Sequence, residues 1–209
     1  MVTDRQARFR SALLKWGQEH QRDFPWRERD RSFYEVFVAE FLLTQTPAEN
    51  VATVYPRFVD QYLSLEDLRG ASRDDLVDLI EPLGFYNIRA DALKRIAAEH
   101  NRLPETTAEL TDLPRVGDYV ANATPCFARD EPLPILDRNV KRIYRRVFDD
   151  QWPASRVEQR EFASQLLPPD DARAYNLALL DFGASVCAPD PNCSICFAST
   201  YCEYYRDLD

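Results

Sequence analysis

Four of the five cysteines fall within 16 residues as Cys187-x5-Cys193-x2-Cys196-x5-Cys202, which sets four thiolates on one short loop. Four thiolates bind an iron–sulfur cluster or a structural zinc ion. Zinc usually draws on two separated pairs, whereas here a single pass of chain would wrap the centre, which favours a cluster over zinc and over free buried thiols. Cys126 stands apart, and nothing in the pattern asks for an oxidising compartment.

Two carboxylates also stand in unusual company. Asp137, in Leu136-Asp137-Arg138-Asn139-Val140-Lys141-Arg142, follows an apolar run and precedes a stretch with five basic residues and no acidic one between Arg138 and Arg146. It reads either as a helix N-cap worth ~1 kcal/mol or as an ionised carboxylate able to stabilise a cationic transition state. Glu40 lies in the apolar run Val36 to Leu43. A glutamate there should have a raised pKa and could protonate a leaving group, or it is structural and paired with an arginine. Leu113-Pro114-Arg115-Val116-Gly117 sits between two short helical patterns. Gly117 can adopt the backbone conformation that a tight hairpin needs. The N–H groups at the following helix start would then form an anion site suited to phosphate, the plain alternative being an ordinary helix–turn–helix corner.

The elements that must position these groups read as all-α. Apolar residues recur at helical spacing over Arg5 to Glu19, and Tyr34 to Thr44 reads as a largely buried helix. Thr46-Pro47-Ala48-Glu49 combines a capping box with proline at the first helical position, starting a helix towards Tyr62. Further helices are predicted near Arg73 to Ile80, Ile88 to Glu99, Thr107 to Asp112, Gly117 to Phe127, Arg138 to Phe148, Arg156 to Leu166 and Asp170 to Phe182. Fourteen prolines and five glycines punctuate them, and short connections imply a compact helical bundle.

The charge argues against nucleic acid at first sight. The 209 residues carry 35 acidic and 26 basic side chains, a formal charge of −9, and repulsion of phosphate follows. The N-terminus alternates charges and no apolar stretch is long enough for a signal or a membrane span, so a cytoplasmic protein is expected. The only lysines are Lys15, Lys94 and Lys141. That scarcity beside abundant aspartate fits a halophilic cell, such as a halophilic archaeon.

Taken together and in order, these elements resemble the helix-hairpin-helix DNA glycosylases (HhH-GPD), along with Phe24-Pro25-Trp26-Arg27, Ala39 to Thr46 and Gly84-Phe85-Tyr86-Asn87-Ile88-Arg89-Ala90. The likeness runs from about Phe24 to Tyr205 and is to the iron–sulfur branch that holds endonuclease III, the MutY-type adenine glycosylases and the archaeal G/T-mismatch thymine glycosylases. It implies a two-lobed all-α fold. A six-helix barrel lobe with the hairpin would span residues 28–135, and residues 1–27 and 136–209 would form a discontinuous lobe with a [4Fe–4S] loop. It further implies a monomer acting on double-stranded DNA, with the mismatched or damaged nucleotide flipped out of the helix.

The resemblance makes Asp137 the catalytic carboxylate, sets Tyr119 and Glu40 beside it as catalytic residues with Glu40 marking the base pocket, and makes Gln45 the side chain inserted where the nucleotide leaves. DNA contacts would come from Leu113, Arg115, Val116, Gly117, Arg138 and Lys141. Tyr119 stands 18 residues before Asp137, where endonuclease III has a nucleophilic lysine, and a phenol cannot form a Schiff base. The expectation is therefore a monofunctional glycosylase in which water attacks the sugar. Tyrosine here, with Asn176 to Ala184, Cys187-Ala188-Pro189 and Tyr204-Tyr205, points to thymine or uracil opposite guanine. An adenine glycosylase without the C-terminal reader domain is the alternative, since the chain stops at residue 209, and an inactive iron–sulfur lesion sensor is a third reading. Three departures stand out: the first cysteine gap is five residues where the family usually has six, Arg115 replaces a usual glycine, and Val120 replaces a common threonine.

Overall fold

The computed structural model describes residues 2–206, and the described residues hold helices and no strand. Met1 and residues 207–209, the ends of the expected outer lobe, lie outside them. The helices are α1 (Asp4–His20), α2 (Phe33–Leu43), α3 (Ala48–Gln61), α4 (Leu65–Gly70), α5 (Arg73–Ile80), α6 (Tyr86–Glu99), α7 (Thr107–Thr111), α8 (Asp118–Arg129), α9 (Arg138–Val147), α10 (Arg156–Leu166), α11 (Ala172–Ser185) and α12 (Glu203–Arg206). Side-chain oxygens start many of them. Thr3 and Ser32 close capping boxes with Gln6 and Glu35, while Ser64, Ser72, Thr106 and Ser155 accept bonds from first-turn N–H groups.

The chain divides into two compact units. One comprises residues 23–129 and the other residues 1–22 with 130–209. In the 23–129 unit, α2 is buried along nearly its whole length, which explains its almost unbroken apolar sequence. Around it Phe37, Phe41, Val54, Tyr55, Phe58, Leu68, Leu93 and Val120 form a continuous core. The other unit is built on α1 against α11. Their backbones come so close that a Cβ on Gly17 would lie 2.6 Å from that of Ala178, so glycine is required there by contact. An aromatic cluster of Phe9, Tyr144, Phe148, Trp152 and Phe162 fills its interior through mostly edge-on contacts. Arg22 closes that unit by pairing at 2.7 Å with the fully buried Asp181.

Two local expectations are corrected. Thr46 does not cap α3: the N-cap is Pro47, and the Thr46 hydroxyl is held by the Arg89 guanidinium at 2.6 Å. Gly117 does not take the left-handed conformation. Arg115 does, at φ 66°, because the tight turn after Leu113 falls two residues earlier than the glycine.

Candidate functional site

Within the 23–129 unit the structure brings together two residues that are 79 positions apart. The Tyr119 hydroxyl donates to Glu40 Oε2 at 2.8 Å, and Glu40 is only 2% exposed. Glu40 comes from the middle of α2 and Tyr119 from the first turn of α8, and these two helices pack against each other. The result is a buried carboxylate with a phenol aimed at it.

The same unit carries two exposed-loop features. Gln45, at φ 59°, and Phe85, at φ 52°, occupy the left-handed region that non-glycine residues rarely adopt. Phe85 follows Gly84 and remains 55% exposed, unlike the buried aromatics of the core. One buried arginine ties both loops together: Arg89 donates to Thr44 O and Thr46 Oγ1 at 2.6 Å each and to Leu83 O at 3.4 Å. Burial holds its pKa below the usual arginine value, and the charge of Arg115 adds to that effect. Nothing in the sequence pattern singled Arg89 out, because an arginine in the GFYNIRA segment reads as a surface charge. Its burial at 4% exposure is the signal.

At the hairpin, Leu113 and Val116 are buried and anchor the turn, with Val116 N–H donating to Leu113 O at 3.1 Å. Gly117 accepts from Ala121 N–H at 3.1 Å and so begins α8, and a Cβ on it would meet nothing within 4 Å. Arg115 adds a cation to the amide dipoles of the α8 start, whereas Asp118 in the first turn places a carboxylate at the same end.

Asp137, in the other unit, caps α9. Its Oδ1 accepts from Val140 N–H at 2.7 Å and its Oδ2 from Asn139 Nδ2 at 3.1 Å. Desolvation pushes its pKa above the usual aspartate value, only partly offset by the bonds from Val140 and Asn139. Asn139 is fixed in turn by Arg142 at 2.9 Å, whose guanidinium also donates to Gly183 O at 2.8 Å and Cys187 O at 2.9 Å. Arg138 and Lys141 follow on α9, and their side chains make no hydrogen bond or ion pair to any described residue.

The cysteine loop leads on from Cys187. Arg146 reaches its Sγ at 3.6 Å and the Ala188 and Pro189 carbonyls at 2.6 and 2.9 Å, while Cys202 Sγ donates to Arg146 O at 3.3 Å. Burial pushes the Cys196 thiol up to about 11, and the charges of Cys187, Cys202 and Cys193 act in the same direction. Four thiols that feel one another, with an arginine and backbone N–H groups around them, fit a tetrathiolate group in donor chemistry. Among the described residues, no three His, Cys, Asp or Glu side chains converge as a ligand set. Nor is any described helix long and apolar enough to cross a membrane.

Residues 38–169 match the model of the HhH-GPD superfamily base excision DNA repair protein. The chain is 35% identical to the thymine/uracil-DNA glycosylase of Pyrobaculum aerophilum, over 95% of this chain and 92% of that one. It is 34% identical to the adenine DNA glycosylase of Mycobacterium tuberculosis, over 88% of this chain but 64% of that protein. The solved structure of a thermostable thymine-DNA glycosylase superposes with a TM-score of 0.90 at 32% identity, covering 97% of both chains.

Proposed function

The chain belongs to the HhH-GPD superfamily of base excision DNA repair proteins, and we propose that within it this protein is a monofunctional DNA N-glycosylase that removes thymine or uracil opposite guanine. The observation that carries this choice is the likeness to thymine/uracil glycosylases along 95% of this chain and 92% of the relative. Tyr119 at the position expected of a nucleophilic lysine supports the monofunctional part.

In this reading Asp137, pinned by Val140 and Asn139, presents a fixed anion to the oxocarbenium-like sugar and takes a proton from the attacking water. Glu40 and Tyr119 line the base pocket, and Gln45 fills the gap left by the nucleotide. Leu113 to Gly117, Arg138 and Lys141 hold the backbone of double-stranded DNA, with one protein molecule acting alone. Residues 28–135 and the remainder serve as the two lobes, placing Glu40 and Asp137 on different ones. Cys187, Cys193, Cys196 and Cys202 would hold a [4Fe–4S] cluster, with structural zinc as the runner-up. A bound cluster would supply the covalent tie that folds the loop. The acidic surface suits a cell of high internal salt, which a salt optimum for folding would test.

Duplexes carrying T·G, U·G, A·G and A·8-oxoguanine pairs, treated with the protein and then alkali, test the reading. Cleavage of the T·G and U·G strands only after alkali, with no borohydride-trapped adduct, is expected. Cleavage confined to the adenine duplexes would instead support the adenine reading, which the buried Glu40 favours as a proton donor to the leaving base. An Asp137→Asn variant that binds DNA but releases no base separates an enzyme from a lesion sensor. A brown protein containing iron supports the cluster, and a colourless one with stoichiometric zinc overturns it.

A further inference from the structure

The stretch between the third and fourth cysteines of the loop, Phe197 to Tyr201, is anchored within the unit of residues 1–22 and 130–209. Phe197 packs against Phe9 of α1 and Phe182 of α11, at ring separations of 5.7 and 4.7 Å, and Ala198 is fully buried. Ser199 to Tyr201 then form one 3-10 turn, held by Ser199 N–H on Cys196 O at 3.2 Å and Tyr201 N–H on Ala198 O at 3.0 Å. Arg8 of α1 lies over this turn. Its guanidinium sits 4.5 Å from the centre of the Tyr201 ring and donates to Thr200 Oγ1 at 3.3 Å. Tyr201 is thus fixed by the turn that carries it and by a cation on the face of its ring.

The hydroxyl at the end of that ring is buried and has no hydrogen-bond partner among the described residues. Such a phenol is unfavourable unless something accepts its proton, since phenylalanine would pack as well and leave no donor unpaired. What lies near it is sulfur. Burial raises the hydroxyl's pKa, the charge of Arg8 opposes the rise, and the charges of Cys196 and Cys202 add to it, so both sulfurs stand within electrostatic reach. A thiol is a weak acceptor, and Cys202 Sγ itself donates to Arg146 O at 3.3 Å. A metal-bound thiolate carries no proton and accepts readily. Two sulfurs of the loop already face such donors: Ala198 N–H points at Cys196 Sγ at 3.4 Å, and Arg146 at Cys187 Sγ at 3.6 Å. Hydrogen bonds to the sulfurs help to set the reduction potential of an iron–sulfur group, because they favour the state with more negative charge.

We infer that the Tyr201 hydroxyl donates a hydrogen bond to the thiolate of Cys196 or Cys202 when a [4Fe–4S] cluster is bound, and that it thereby raises the reduction potential of the cluster. Tyr201 is a tuning residue and not a ligand. This role rests on the cluster reading of the four cysteines and is independent of which base is removed.

Protein-film voltammetry, and resonance Raman spectroscopy in H2O and in D2O, of the iron-loaded full chain test it. Tyr201→Phe keeps the ring under Arg8 and should fold and take up iron as the native protein does. Loss of the donor should disfavour the reduced state tenfold, a midpoint lower by about 59 mV for a one-electron couple, with the same sign for any couple of the cluster. Tyr201→Leu, which shares with it only the lost hydroxyl, is the second variant and should lower the potential alike. Iron–sulfur stretching bands of the native protein should shift in D2O, and the shift should shrink in both variants. Thr200→Val deletes an exposed hydroxyl from the same turn and should move the redox equilibrium less than twofold. Tyr201 variants within twofold of the native equilibrium, D2O shifts equal to the native ones, or an equal drop in Thr200→Val would each overturn the role of Tyr201 alone. A colourless protein with stoichiometric zinc would overturn the cluster reading and this role with it.

Discussion

Replacing Tyr119 by phenylalanine removes one oxygen and changes little else, because the ring packs against the core of its unit and only the hydroxyl reaches Glu40. The bond is short, at 2.8 Å, and its acceptor is a carboxylate that is 2% exposed. Hydrogen bonds to charged groups contribute about 1.5–3 kcal/mol, against about 1 kcal/mol for neutral pairs. Tyr119→Phe should therefore cost about 2 kcal/mol in the native background. In a Glu40→Gln background the same change should cost only about 1 kcal/mol, since the hydroxyl then faces a neutral amide. The coupling between the two sites is the difference, about 1 kcal/mol. Urea denaturation of the four proteins at neutral pH measures it. If Tyr119→Phe costs the same in both backgrounds, the phenol does not bond more strongly to the carboxyl group of Glu40 than to an amide and the account of this pair fails. Base release on a U·G duplex provides the functional arm, where Tyr119→Phe should slow the single-turnover step at least tenfold without creating a borohydride-trapped adduct.

Four more outcomes follow from single contacts. The Asp137 carboxyl is raised above its unfolded pKa, so ionising it subtracts stability, an effect absent at low pH that grows as pH climbs through the folded value. The melting temperature of Asp137→Asn minus that of the native protein should therefore rise between about pH 4 and pH 7, and a falling difference would contradict the burial argument. Arg115→Gly relieves the left-handed strain at φ 66° and should raise stability by about 0.5–1 kcal/mol while weakening duplex binding at low salt, read by thermal melts and a filter-binding titration. Arg89→Met takes the donors from Thr44 O, Thr46 Oγ1 and Leu83 O together and should cost about 3 kcal/mol in urea denaturation, whereas a loss under 1 kcal/mol would mean that the two loops hold themselves. Gly17→Ala should cost about 2 kcal/mol by overpacking α1 on α11, and Ala178→Gly should restore most of it in the double variant.

Helices with a side-chain cap and an apolar stripe were legible from sequence: Arg73 to Ile80 and Arg156 to Leu166 have the bounds that their serine caps imply. The short α4 and α12 were not, since six and four residues carry too little periodicity to register. The two corrections share a cause. Thr46 has the residue type of a cap, but Arg89, 43 residues later in the chain, claims its hydroxyl. Gly117 has the freedom to bend, yet the bend falls on Arg115, because the buried anchors Leu113 and Val116 decide where the turn closes. Local preference loses in both cases to a tertiary demand that no short window contains. The Glu40–Tyr119 bond is of the same kind. Each residue was conspicuous by itself, but only the packing of α2 on α8 makes them partners.

The two readings of Asp137, cap and catalyst, call for the same geometry. A carboxylate that caps a helix cannot rotate freely, since Oδ1 is held by Val140 N–H and Oδ2 by Asn139. The positive end of α9 and Arg142 favour its charge, while burial disfavours it, and burial prevails. The anion is thus destabilised where it stands, and a cation developing on a nearby sugar would restore what burial removes. In the proposed reading that would be stabilisation specific to the transition state, because the uncharged sugar of the ground state offers the carboxylate nothing. The relay behind it gives the cysteine loop a mechanical part. Asn139 is fixed by Arg142, and Arg142 by the carbonyls of Gly183 and Cys187, so the backbone of the loop's first cysteine bears on the orientation of the carboxylate through two side chains. A disordered loop would release Arg142 first and then Asn139. Base release should consequently fail in cysteine variants that still bind DNA.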